Sequence, residues 1–250
     1  MNSRLAILVK GELDRLNKYG VFSISVLVAF IWGTVLFLVN EDILGTILPM
    51  VLLLDATMMS IMYIGAEMHF EKSESTISTM LVTPVSNSEL VSSKVIANII
   101  HNSFSSLLII GVFYGAGLLE FIPDPGINIL LLLLGVMITT ATFTISGLVL
   151  SYYQKDFTGM LVNIFILVIF LMIPSVLLMF GVIEGEFWEN IMLINPFQAA
   201  QEIIGGGFES YEFDYAYYVS LGYMLFGGIA MYVLFAIPKF QNYAVKQSGV

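Results

Sequence analysis

The stretch Ile127–Lys155, INILLLLLGVMITTATFTISGLVLSYYQK, decides the fold. No charged residue stands between Asp124 and Lys155. That length exceeds the roughly 20 apolar residues a helix needs to cross a bilayer core. An acid precedes the run and a lysine follows it, so the stretch predicts both a membrane span and its direction.

Five other segments meet or approach the same requirement: Val21–Val39, Thr46–Met68, Val95–Leu119, Gly159–Val182 and Tyr215–Ile237. Hydrophobic residues make up 58% of the 250-residue chain and charged residues only 11%. A soluble domain carries about twice that share of charge, so lipid is the expected solvent. The expected fold is an all-α integral membrane protein of six transmembrane helices, a single transmembrane domain over residues 1–250. The charged, helical pattern of the first twenty residues, with no small-residue cleavage site after the next apolar run, predicts no cleavable signal peptide.

The basic residues fix the orientation. Arg4, Lys10, Arg15 and Lys18 precede the first span; Lys72 and Lys94 lie between the second and third; Lys155 follows the fourth; Lys239 and Lys246 follow the last. These are all nine Lys and Arg, and a six-span chain puts them on one side. The other side holds Glu41, Asp42, Glu120, Asp124, Glu184, Glu186, Glu189, Glu202, Glu209, Glu212 and Asp214 with no base. The positive-inside rule makes the basic side cytoplasmic, with both termini there.

Three further pieces are expected. Residues 1–20 carry Leu5, Leu8, Val9, Leu13 and Leu16 on one helical stripe and predict an amphipathic interface helix. Residues 69–94 form the longest cytoplasmic connection. There Ile77, Met80 and Leu81 share a helix face, Pro84 stops that helix, and Ser86 to Glu89 has capping-box spacing. Residues 183–214 alternate apolar residues with acids and amides and predict one or two short helices dipping back into the outer interface. Tyr211, Phe213, Tyr215, Tyr217 and Tyr218 fit an aromatic belt beside them.

Some chemistries are absent. No G-x-x-x-x-G-K-[ST] loop occurs, so this chain is expected to bind no ATP, and with no cysteine it has no thiolate metal site. Nothing resembles a nucleic-acid surface. Candidate functional residues lie inside the spans instead. Asp55 is an acid at intramembrane depth, read either as a substrate or proton contact or as a helix-packing group. Asn98, His101, Asn102 and Ser105 share one face of the third span, which lines either a helix contact or a cavity; Asn163 is equally open. Gly111 and Gly115 form a G-x-x-x-G pair, and Pro174 predicts a kink. His69 and His101, the two histidines, with Glu67 or Glu71, leave an intramembrane enzyme open, and Asp55 leaves a proton-coupled secondary transporter open.

In the cytoplasmic loop Glu71-Lys72, Thr76-Ile77, Leu81, Thr83-Pro84, Ser86, Glu89-Leu90 and Lys94 resemble the loop of ABC exporter permeases of the ABC-2 type. Asn195-Pro196-Phe197 resembles the motif those permeases carry before the last span. Ser75 and Ser93 depart from glycines common there. Overall size is similar to small multidrug permeases, including those named for fluoroquinolone export. The resemblance implies a plasma-membrane exporter subunit, of prokaryotic type, for an amphiphilic substrate. It implies pairing with a second permease, identical or homologous, and with two ABC ATPase subunits that carry ATP and magnesium. It also implies that Glu71, Glu74, Thr76, Ile77, Met80, Leu81 and Pro84 form or flank the coupling helix that docks on the ATPase.

Overall fold

The computed structural model describes residues 3–39, 41–74, 76, 84–117, 126–154 and 156–247. Apart from an isolated antiparallel bridge between Ile127 and Phe208, these residues form helices and their connections. Helix α1 (Ser3–Lys18) buries Val9 and Leu16 and leaves Ile7 exposed. Gly20 follows in the left-handed region (φ 76°), which a glycine adopts without a Cβ clash, and the chain turns by 63° into α2 (Val21–Leu38). At 18 residues, α2 is about 27 Å long, close to the hydrocarbon thickness.

The second span is one continuous rod made of α3 (Glu41–Leu54), a π turn (Asp55–Met59) and α4 (Ser60–Ser73). Helix α5 (Asn87–Gly117) opens with the expected capping box: the Glu89 carboxylate accepts from the Ser86 N–H at 2.9 Å, and Ser86 Oγ accepts from the Glu89 N–H at 3.3 Å. Helix α6 (Ile129–Ser151) is capped by Asn128, and α7 (Phe157–Met179) by Asp156. Two short helices, α8 (Glu186–Met192) and α9 (Pro196–Gly205), precede α10 (Tyr215–Met231), which continues through a π turn (Tyr232–Ala236) into α11 (Ile237–Gln247).

Among the described residues, five helical rods are long and apolar enough to cross a membrane, and six if the bent pair α1 and α2 counts as one span. The protein is an all-α integral membrane protein. Several helices outrun the expected spans at the basic end. The second span reaches Ser73 and α5 starts at Asn87, so the segment expected to loop over 69–94 is helical on both flanks. With 31 residues, α5 measures about 46 Å, roughly half again the thickness of the apolar core.

The rod α3–α4 sits at the centre, with 61% of its most apolar window buried, whereas α7 has 17% and forms the rim. Close packing against that centre depends on α6. A Cβ on Gly147 would lie 2.6 Å from Ile64 Cγ2 and 3.1 Å from Ile61 Cα, and one on Gly135 would lie 2.8 Å from the Ile203 carbonyl oxygen. A Cβ on Gly111 or Gly115, by contrast, would meet nothing within 4 Å among the described residues, so the G-x-x-x-G pair makes no close approach there. Helix α9 enters the bundle from the acidic end and buries Phe197, Ala199, Ala200, Ile203 and Ile204, while α8 stays exposed.

Candidate functional site

Two polar clusters lie within this apolar frame, one at mid-depth and one at the basic end. The mid-depth cluster grows from the α5 face foreseen in the sequence. Asn98 Nδ2 donates to the Ser60 carbonyl at 3.0 Å and to Thr144 Oγ1 at 2.8 Å, tying α5 to α4 and α6. Asn102 Nδ2 donates back to Asn98 Oδ1 at 2.8 Å. Ser105 Oγ donates to Asp55 Oδ1 at 3.1 Å, in the π turn. His101 Nε2 meets Ser25 Oγ of α2 at 2.9 Å, and its ring stands edge-on to Phe22 and Tyr63.

Asp55, Asn98, His101, Asn102 and Ser105 are all buried, and within this chain their face packs between helices. Amides and hydroxyls on facing helices supply several of one another's partners where water is excluded, while Asp55 Oδ2 and Asn102 Oδ1 stay buried without a hydrogen-bond partner among the described residues. Asn163 does not belong to the group. It is exposed on α7 and donates to Gln154 Oε1 at 2.8 Å. His69 is likewise apart from His101, lying against Phe70 and Phe157. The paired-histidine site that an intramembrane enzyme would require is therefore not assembled.

The second cluster is ionic. Lys94, fully buried on α5, sets its ammonium 2.9 Å from Glu67 Oε1, 3.3 Å from Glu12 Oε1 and in contact with Glu71. Arg15 on α1 pairs with Glu12 at 3.2 Å and with Glu71 of α4. Helix geometry explains the convergence. Glu67 and Glu71 are four residues apart on one face of α4, and Glu12 and Arg15 are three apart on α1. Burial by itself would raise the Glu12 carboxyl, but the Lys94 ammonium, a hydrogen bond with Glu67 and the Arg15 guanidinium together hold it below the ordinary carboxylate value. Acid oxygens of Glu12, Glu67 and Glu71 lie within 4.8 Å of one another, a spacing that suits a metal ion. Lys94 and Arg15 already supply the cationic charge there.

The residues foreseen for coupling fall around this node. Glu71 is inside it and fully buried, so in this structure it touches α1 and α5 and no outside partner can reach it. Glu74 is exposed one turn beyond, 3.5 Å from Lys18 and 3.0 Å from the Tyr19 hydroxyl. Burial, then Glu74 beside it, pushes the Tyr19 phenol up to about 12. Thr76 is half-buried and Pro84 exposed; Ile77, Met80 and Leu81 lie outside the described residues.

The node itself went unread in the sequence, although a signal for it was present. Glu12 occupies the apolar stripe of α1, three residues after Val9 and four before Leu16. A charge placed on a buried stripe requires a buried partner.

At the acidic end, Asn195 caps α9 through its side-chain oxygen, 2.9 Å from the Phe197 N–H. Its amide donates to the Leu171 carbonyl at 2.7 Å, next to the carbonyl that Pro174 leaves without an N–H. The Asn-Pro-Phe motif thus fastens the re-entrant helix to the proline turn of α7. An apolar groove of about 330 Å³ lined by Ile99, Met137, Ala141, Met224 and Tyr232 opens between α5, α6 and α10.

The family model described as ABC-2 type transporter matches residues 14–208, which includes the mid-depth cluster, every member of the ionic node except Glu12, and the segment between α4 and α5. No curated protein matches the chain.

Proposed function

The chain belongs to the ABC-2 type transporter family and is a membrane permease component of an ABC transporter, and on that premise we propose that it is an exporter subunit for an amphiphilic substrate (drug, lipid or hydrophobic peptide), driven by a separate ATPase. Two copies, or this chain and a homologue, pair in a prokaryotic plasma membrane and bind two ATPase subunits on the cytoplasmic side. The basic end is that side.

One observation carries the reading. Helix α1 lies against the ends of α4 and α5 where the 74–86 segment emerges, and ion pairs lock all three. A segment rooted so firmly can pass a push from a docked partner to two membrane spans. The burial of the mid-depth polar face within the single chain supports a substrate path between two copies. So does the apolar rim of α7, where Phe165, Ile166, Phe170 and Ile173 are exposed. ATP closure of the partner subunits would shift the coupling segments and switch access between the two sides. Hydrolysis, with ATP and magnesium held by the partner, would reset them.

The test is co-purification with a co-expressed ABC ATPase of the same organism, sought first in the neighbouring reading frames. Replacing Ile77, Met80 and Leu81 by aspartate should release the ATPase while the permease still elutes as a folded species. A complex that survives all three changes intact would remove the coupling assignment.

A further inference from the structure

We propose that Lys94 is the positioning residue of the transport stroke: its ammonium locks α1 and both roots of the 74–86 segment into one body that moves as a unit. This inference rests on the reading of the chain as an ATP-driven permease.

The argument begins with what holds α1. Outside the node, α1 has two apolar patches: Leu16 and Leu13 meet Val21, Tyr63 and Ala97, and Leu8 packs against the cluster that holds Leu90 and Val91, with Val9 buried. Most of its remaining surface, including Ile7, Lys10, Gly11, Asp14 and Asn17, is exposed. Apolar contacts are non-directional and do not by themselves fix one helix in register on another. Ion pairs in a dry site do, because separation strands bare charge away from water.

Lys94 is the group common to all three elements. It reaches Glu12 on α1 at 3.3 Å and Glu67 on α4 at 2.9 Å from its own position on α5, with Glu71 as the fourth member. Arg15 repeats the α1–α4 link, joining Glu12 and Glu71. Farther out, Lys18 and Tyr19 hold Glu74 at the edge of the segment. The ends of α4 and α5 therefore cannot part, and α1 cannot lag behind them, without breaking this set of charges. A push on the segment is delivered to the second and third spans together.

The experiment is a spin-label distance measurement between cysteines placed at Ile7 on α1 and Ser73 at the end of α4, both exposed and outside the node. In the full chain alone, the unsubstituted node should give a single narrow distance. Lys94→Met and Arg15→Gln should broaden it at least about twofold, while Arg15→Lys, which keeps the charge, should restore it. In the complex with the ATPase, the distance should shift by no more than about 2 Å, the scale of ordinary helix adjustments, between the nucleotide-free and ATP–vanadate states. A distribution equally narrow in Lys94→Met and Arg15→Gln would overturn the proposal. So would a larger nucleotide-driven shift with the node intact. Should Lys94→Met fail to fold, Arg15→Gln and Arg15→Lys carry the same comparison. Failure of the ATPase to bind would count against the proposed function, and the measurement on the chain alone would still decide this inference.

Discussion

The mid-depth cluster and the basic-end node do similar fastening with opposite chemistry. At mid-depth, four spans are joined by amides, hydroxyls and the His101 ring, with Asp55 as the one carboxylate in the described bonding. At the basic end, three helices are joined by Glu12, Arg15, Glu67, Glu71 and Lys94. Full charges at the bilayer centre are costly and hard to rearrange. The node sits instead near the ends of helices that outrun the apolar core, and its charges are buried against one another, so parting them would strand them. Neutral bonds suit a joint that stays closed, and ion pairs suit one that must transmit force without slipping.

The sharpest way to break this contrast is Lys94→Met, which strips the common cation from three acidic side chains. Thermal unfolding in detergent should show the largest loss of any single change, about 3–5 kcal/mol, the usual cost of orphaning a buried charge. Asn98→Ala should cost less, about 1–3 kcal/mol, because it leaves the Ser60 carbonyl, Thr144 and Asn102 short of partners. If Asn98→Ala proved as damaging as Lys94→Met, the mid-depth joint would be the stronger of the two.

A pH series sharpens the comparison further. The Glu12 carboxyl is held below its ordinary value, so its contribution to stability is present above about pH 4.3 and is lost as pH falls through the lowered value. The intact chain should therefore lose stability more steeply than Glu12→Gln only on the acidic side of that point. Parallel curves throughout would mean that Glu12 is not ionised in the node. The smallest effect is expected from Asp55→Asn. Its amide oxygen can still accept from Ser105, so stability and transport should change by less than about 1 kcal/mol and twofold respectively. Abolished transport would revive the proton-coupled reading of this acid.

The spans were legible in the sequence because apolar length is a local property. Ile127–Tyr152 became α6 at Ile129–Ser151, and Gly159–Val182 became α7 at Phe157–Met179. Caps were legible for the same reason, as Ser86 with Glu89 demonstrates. What could not be read was which distant groups meet. Asp55 and Ser105 are fifty residues apart, and Lys94 finds Glu12 across eighty-two. The two π turns carry no composition that distinguishes them from their neighbours. Gly111 and Gly115 had the spacing of a helix contact, yet the close approaches fell to Gly135 and Gly147, because helix choice depends on the whole bundle.

The claim on which this account depends is that the node and its 74–86 segment face the cytoplasm, where an ATPase can dock. The chain contains no cysteine, so single cysteines at exposed Ser73 and exposed Glu186 report the two ends without background. On intact cells, a membrane-impermeant maleimide should label the cysteine at 186 and spare the one at 73 until the cells are opened. Labelling of the cysteine at 73 from outside, with 186 protected, would contradict the account.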